Sequence, residues 1–366
     1  MLFIAYFFIA ARPVPRETIL VPLWLSSLDT GIPISLTNAS LNNSGQSRLF
    51  PFSLGSRFGY VDGTGNKAIN NVRTGGVYLS ENLWTEHGAE PSVIEIKNTA
   101  SETVITIEDP RGYPLILGGR VFILGSEMNA LSEIGTGGDI LWTYEFGAPL
   151  TCIDVAAGLV LTGTVDGIIE ILDPYGSRIF FFEPGGSRYS VILGAALSSD
   201  GSKLGIVSGI DQQRFLMLER FGASGGDYRV VYHEFLDSDF RREIFISFID
   251  NDSRIIFESN IGLTSYNVRA RRTARIPLNG RIAAIDYSGD NGFFFLINST
   301  GEQKELVGIR FPHEGRFVRS RSGRNLQDAI FMKASFTSDD IFLGRSSSAL
   351  IVGGGLTLIS FTLEEK

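Results

Sequence analysis

Cysteine is almost missing from this chain. Cys152 is the only one, so no internal disulfide can form and the fold cannot lean on such a cross-link. Its apolar surroundings mark it as a small buried residue rather than a nucleophile. Histidine is scarce as well. His87, His233 and His313 lie far apart, and none has a partner at metal-ligand spacing. Positive charge is not in excess: the net charge is −8 and the sequence pI is near 5.1. That balance excludes general nucleic-acid binding, which needs a dominant basic surface. No Gly-x-Ser-x-Gly elbow is present, and Gly353-Gly354-Gly355 is followed by neither Lys-Ser nor Lys-Thr, which removes the phosphate-loop reading. Acidic pairs such as Glu108-Asp109 and Asp339-Asp340 sit where turns are expected. Long apolar runs and helical periodicity are also lacking. The longest apolar stretch, Met1 to Ala11, falls short of the roughly 20 residues that a spanning helix needs.

What fills the chain instead is glycine, phenylalanine and short β-prone runs. There are 42 Gly and 27 Phe, enough turns and enough bulky strand residues for many short strands. Leu159 to Gly176 shows the unit clearly: Leu-Val-Leu-Thr, then Gly-Thr-Val-Asp-Gly, then Ile-Ile-Glu-Ile-Leu, then Asp-Pro-Tyr-Gly. It reads as strand, turn, strand, turn. Turn anchors ahead of apolar strands recur at Gly76, Gly119, Gly158, Gly201, Asn251-Asp252, Asn291 and Asp340. Their spacing of about 40 to 50 residues is the length of one four-stranded propeller blade. The predicted fold class is therefore all-β, a β-propeller of seven four-stranded blades, with eight as the alternative, closed by N- and C-terminal strands. Arg57 to Lys67 is expected either to complete the last blade against Leu356–Leu363 or to belong to an eighth, and closure is favoured. Leu36 to Arg48, rich in Asn and Ser, reads as a loop. Residues 1–20 form an apolar, signal-like or anchoring segment, and 21–366 a single propeller domain.

Gly138-Asp139-Ile140-Leu141-Trp142, with Gly163-Thr164-Val165-Asp166-Gly167 and Asp173-Pro174-Tyr175-Gly176, resembles the quinoprotein-like (PQQ-type) propeller repeat. Ser198-Ser199-Asp200-Gly201 looks like the turn of WD40-like propellers, and Phe58-Gly59-Tyr60-Val61-Asp62 weakly resembles a WG-type repeat. The other tryptophans, Trp24 and Trp84, stand outside that sequence context. In the quinoprotein family a Trp caps the outer strand. Its dehydrogenases hold their cofactor with a vicinal disulfide, which a chain with one cysteine lacks. The resemblance therefore implies no cofactor and a kinship with the non-enzymatic envelope scaffolds of that family. An enzyme, or a small-ligand or glycan binder using the central funnel, is the alternative.

Arginine supplies the candidate docking residues. Arg269, Arg271, Arg272 and Arg275 form one cluster, and Arg316, Arg319, Arg321 and Arg324 another. Guanidinium forks suit carboxylates and phosphates, which points to an acidic segment of a partner protein or a lipid headgroup. The same residues could instead keep an exposed edge soluble. The expected role is a non-catalytic scaffold for protein–protein interaction in the bacterial cell envelope. It would be periplasmic, or membrane-associated through the N-terminal segment, with a cytoplasmic location as the alternative.

Overall fold

A computed structural model describes residues 18–30, 33–36, 48–222, 227–286, 293–311, 324–325, 329–345 and 349–365. The described residues are strand, turn, bend and loop. No helix among them is long and apolar enough to cross a membrane. Met1–Ala11, residues 37–47 and the anchor Asn291 lie outside the described residues.

The strands fall into eight sheets. Blade 8 opens the chain with β1 (Thr18–Ser27) and β2 (Ile34–Ser35). Blade 1 holds β3 (Leu49–Leu54), β4 (Arg57–Asp62) and β5 (Lys67–Val72). Blade 2 holds β6 (Gly76–Leu79), β7 (Leu83–His87), β8 (Val93–Asn98) and β9 (Thr103–Glu108). Blade 3 holds β10 (Gly112–Leu117), β11 (Arg120–Gly125), β12 (Ala130–Ile134) and β13 (Ile140–Glu145). Blade 4 holds β14 (Leu150–Ala156), β15 (Leu159–Thr164), β16 (Ile169–Leu172) and β17 (Arg178–Phe182). Blade 5 holds β18 (Ile192–Leu197), β19 (Lys203–Ser208), β20 (Arg214–Arg220) and β21 (Tyr228–Phe235). Blade 6 holds β22 (Ile246–Ile249), β23 (Arg254–Ser259), β24 (Gly262–Asn267) and β25 (Arg272–Pro277). Blade 7 holds β26 (Arg281–Asp286), β27 (Phe293–Thr300) and β28 (Gln303–Arg310). The chain then supplies β29 (Arg324–Asn325), which pairs with β25, before β30 (Ile330–Thr337) completes blade 7. Finally β31 (Ile341–Arg345), β32 (Leu350–Gly354) and β33 (Thr357–Glu365) return to blade 8, where β33 pairs with β1.

The seven-blade expectation is thus corrected to eight. Arg57 to Lys67 does not complete the last blade: Arg57–Asp62 is the middle strand of a three-stranded sheet of its own. Closure falls to β1, which runs antiparallel to β33 from Thr18↔Glu365 to Ser27↔Thr357, so the N- and C-terminal strands do share a sheet. That strand starts ahead of residue 21.

The hydrophobic interior is divided among the seams between blades. Eight apolar clusters each draw on two neighbouring sheets. Period-two alternation explains how one strand serves two of them. On β20, Leu216 and Leu218 join the cluster between blades 4 and 5, while Phe215 and Met217 join that between blades 5 and 6. On β27, Phe294 and Leu296 face blade 6, and Phe295 and Ile297 face blade 8. Strands covered on both faces run nearly free of charged residues, and β15 and β18 are buried throughout.

Hydrogen bonds and ion pairs stitch the same seams. The Tyr60 hydroxyl in blade 1 donates to the carbonyls of Ser80 (2.8 Å) and Leu83 (2.9 Å) in blade 2. Tyr144 donates to Glu170 across blades 3 and 4 at 3.0 Å, and the Leu197 N–H donates to Asp154 across blades 4 and 5 at 2.8 Å. The Ile282 N–H donates to Glu258 across blades 6 and 7 at 3.0 Å. Arg345 lies 3.8 Å from Asp286 between blades 7 and 8. The Gly55 N–H donates to Asp340 at 2.9 Å, joining blade 1 to blade 8.

Candidate docking edge on blade 6

The first arginine cluster and Arg324 of the second lie on blade 6. Arg269 and Arg271 occupy the hairpin between β24 and β25, Arg272 starts β25, and Arg275 lies within it. Arg324 opens β29, whose backbone pairs in parallel with β25 at Ala274↔Arg324 and Arg275↔Asn325. Residues more than 45 positions apart in sequence are thereby neighbours on one outer edge, through a pairing with no local sequence signal. Arg316, Arg319 and Arg321 lie outside the described residues.

The arginines are not equivalent. Arg271, at a left-handed φ of 50°, places Nη2 3.9 Å from Glu219 of blade 5. Arg275 places Nη2 3.7 Å from Glu234, also of blade 5. Glu234 already accepts hydrogen bonds from the Tyr232 hydroxyl at 2.8 Å and the Thr273 hydroxyl at 2.7 Å. Burial, helped by the Glu234 carboxylate, pushes the Tyr232 hydroxyl pKa up to about 12, so it remains a donor to Glu234 at any ordinary pH. Tyr232 packs at a tilt against Tyr266 of blade 6 (4.8 Å between centroids), and burial raises the Tyr266 pKa too. Arg271 and Arg275 therefore serve partly to fasten blade 6 to blade 5. At 3.7–3.9 Å these are loose contacts, each worth little to stability. Arg269 and Arg272 are exposed. Arg272 has no ion-pair partner among the described residues.

The remaining sequence candidates behave as turn or core residues. Cys152 packs against the cluster between blades 4 and 5, and burial pushes its thiol up to about 12, far from thiolate chemistry. His87 and His233 are in blades 2 and 5, and His313 lies outside the described residues. No group of three metal-capable side chains occurs among the described residues. Asp109 adopts φ 46° in a turn and pairs with Arg111 at 3.2 Å. Gly355, at φ 58°, turns the chain from β32 into β33.

Tryptophan gives a clearer regularity. Trp142 on the outer strand of blade 3 lies over Gly176 of blade 4, where an added Cβ would come 2.5 Å from the indole. Its Nε1–H donates to Glu133 at 2.7 Å. Trp24, on the outer strand of blade 8, sits likewise over Gly65 of blade 1 and donates to the Gly63 carbonyl at 3.0 Å. Trp24 therefore shares the Trp142 context, contrary to the sequence reading. Trp84 does not: it lies on β7, donates to the Asn98 carbonyl at 2.9 Å and packs near Phe58 of blade 1.

The sequence reading missed a second regularity, an extra residue in the outer strand. Leu23, Ala68, Val104, Leu141, Ile179, Val231 and Phe331 are each skipped in the pairing of blades 8, 1, 2, 3, 4, 5 and 7. All are apolar, and each directly precedes the residue at the Trp24 or Trp142 position. Blade 6 departs from the pattern: β24 and β25 pair without interruption from Gly262↔Pro277 to Asn267↔Arg272.

Comparisons with known proteins agree with this architecture. A family model described as a beta-propeller protein matches residues 1–361. A protein of Treponema pallidum (strain Nichols), described as uncharacterized, is 26% identical over 284 residues, covering 77% of this chain and 74% of its own. Among solved structures, the computationally designed Ika8 protein is similar with a TM-score of 0.60 at 9% identity, covering 87% of this chain and 98% of that one. BamB from Moraxella catarrhalis is similar with a TM-score of 0.52 at 13% identity, covering 94% and 100%. At such identities the likeness to solved structures concerns the fold alone.

Proposed function

Since this chain belongs to the beta-propeller protein family, we propose that it is a non-catalytic scaffold of the bacterial cell envelope that holds a partner protein through the arginine edge of blade 6. The observation that carries this reading is the meeting of the first cluster with Arg324: on β29 it lies in register with Ala274 on the strand that carries Arg272 and Arg275. A ring braced at every seam holds such an edge still, so a partner is not opposed by the cost of ordering the surface. The indole-on-glycine contacts at Trp142 and Trp24 support assignment to the PQQ-type branch. The apolar start of the chain, Met1 to Ala11, agrees with a periplasmic or membrane-associated location.

The test is co-purification from cross-linked native cells. We expect one stoichiometric protein partner. Its recovery should fall at least tenfold with Arg272→Ser, while the melting temperature stays within a degree or two, because this side chain is exposed. Undiminished recovery would remove the arginine edge from the interface. A clean monomer carrying a bound metal or quinone would overturn the scaffold.

A further inference from the structure

We propose that Glu219 and Glu234 of blade 5 are built-in rivals of the partner: they hold Arg271 and Arg275 until an extended acidic segment of the partner protein takes both guanidinium groups from them. This rests on the docking reading above and specifies the ligand chemistry and the control of the same site.

Both arginines reach across a seam. Arg271 lies in the hairpin after β24 and Arg275 on β25, yet each has its carboxylate on blade 5, Glu219 of β20 at 3.9 Å and Glu234 of β21 at 3.7 Å. A guanidinium that closes on a carboxylate as a fork does so at about 2.7–2.9 Å. Arg120 does this on Glu133, with two contacts of 2.7 and 2.6 Å. Neither pair at the seam reaches that geometry. The backbones of Glu219 and Glu234 are fixed by strand pairing, and the Tyr232 and Thr273 hydroxyls further restrain the Glu234 carboxylate. A segment arriving from solvent is under no such restraint and can seat its carboxylates in the forks.

The exchange strands little. Glu234 keeps its two hydroxyl donors, at 2.8 and 2.7 Å. The Glu219 side chain is 26% exposed, so water replaces Arg271, whose own side chain is 55% exposed and open to approach. Glu258 marks the contrast. It is buried and shared between Arg242 and two backbone N–H groups, an ion pair that fastens a seam and has no such freedom to change partners.

Spacing selects the ligand. Glu219 pairs with Arg229 and Glu234 with Phe215, so the rivals stand four ladder positions apart, roughly 14 Å along the strands. Arg271 and Arg275 are likewise four residues apart. An extended segment with carboxylates on alternate residues meets both at once. A single carboxylate meets one arginine and is repelled by the neighbouring rival, which sets a threshold against weakly acidic segments. Arg272, exposed and between the two in sequence, adds attraction during approach and disfavours basic segments.

The probe is a fluorescent eight-residue peptide of alternating Glu and Ser, titrated onto the full chain and followed by anisotropy. Glu219→Gln and Glu234→Gln should each tighten binding about threefold, the scale of a partly exposed ion pair, and together about tenfold. Glu81→Gln is the control of equal charge: Glu81 is exposed and pairs with Arg48 in another part of the ring, so the affinity should not move. In an Arg271→Ser background, Glu219→Gln should have no effect, because no guanidinium is left to release. If neither glutamate variant tightens binding, rivalry is overturned while arginine docking stands. If Glu81→Gln tightens binding equally, or Glu219→Gln still acts without Arg271, the effect is long-range charge and the proposal is likewise overturned. The Glu219 arm stands on its own should Glu234→Gln lower the melting temperature. If the acidic peptide does not bind the parent or the double glutamine variant, the proposal falls, and the partner recovery test decides separately whether the arginine edge docks anything.

Discussion

Asp154 shows how a single carboxyl carries a seam. It sits on β14, accepts the Leu197 N–H of the next blade at 2.8 Å, and accepts the Val155 N–H at 2.9 Å. Burial raises its pKa, and the two hydrogen bonds recover only part of the shift. A native pKa above the unfolded value means that the folded state binds the proton more tightly. The contribution of Asp154 to stability is therefore greatest below about pH 4, the unfolded carboxyl value, and declines as pH rises through the native value. The unfolding free energy of Asp154→Asn relative to the parent should accordingly increase with pH across that window and level off above it. Urea titrations at pH 3.5, 5 and 7 check the slope, and a gap that stays constant or narrows would contradict the assignment. Little of this was legible beforehand, because Asp154 stands in the sequence as one acidic residue within an apolar run. Its hydrogen-bond partner is 43 positions away in the chain.

At the scale of the element, the readable part was the alternation and the turns. The anchors Gly119, Gly158, Gly201 and Asn251-Asp252 each precede the second strand of a blade, whereas Gly76 and Asp340 fall at the first strands of blades 2 and 8. The extra residues of the outer strands were not readable. A skipped residue has no composition of its own and exists only relative to a partner strand, so Leu141 and Ile179 look like ordinary strand residues. Charges that join elements were hidden for the same reason. Glu258 on β23 accepts from both arms of Arg242, at 2.9 and 3.1 Å, and from the backbone N–H groups of Phe245 and Ile282, each at 3.0 Å. Its side chain is 4% exposed. Glu258→Ala would take the carboxylate from Arg242, which keeps the Glu243 carbonyl, and from two N–H donors at the boundary of blades 6 and 7, a loss of about 3 kcal/mol. Arg242→Ala should cost less, because Glu258 keeps both backbone donors. A double-mutant cycle by urea denaturation should give a coupling of about 1–3 kcal/mol, and strict additivity would mean that the pair does not act as one clamp.

For the whole molecule, ring closure decides both the blade count and the route of unfolding. The sequence period gives seven because blade 1 has three strands among the described residues and none of the seven turn anchors falls in it. Its short Gly55-Ser56 turn was passed over in favour of completing the final blade. The physics of closure was anticipated; the identity of the closing strand was not. Since β1 comes from one end of the chain and β33 from the other, a terminal blade cannot peel away without first breaking that pairing. Locking it should stabilise the entire ring. Val21 and Thr362 are cross-strand partners in this ladder, and Val21→Cys/Thr362→Cys would close a loop spanning almost the complete chain. The loop-entropy argument places the upper bound at ~6 kcal/mol, less any strain. Cys152 should not interfere, since burial keeps its thiol protonated and so slow to exchange. Oxidised protein should melt several degrees higher and unfold more slowly in urea than the parent, and dithiothreitol should abolish the gain. Were the oxidised and reduced forms to unfold at the same rate, the β1–β33 seam would not gate unfolding, and the barrier would have to lie at another of the eight seams.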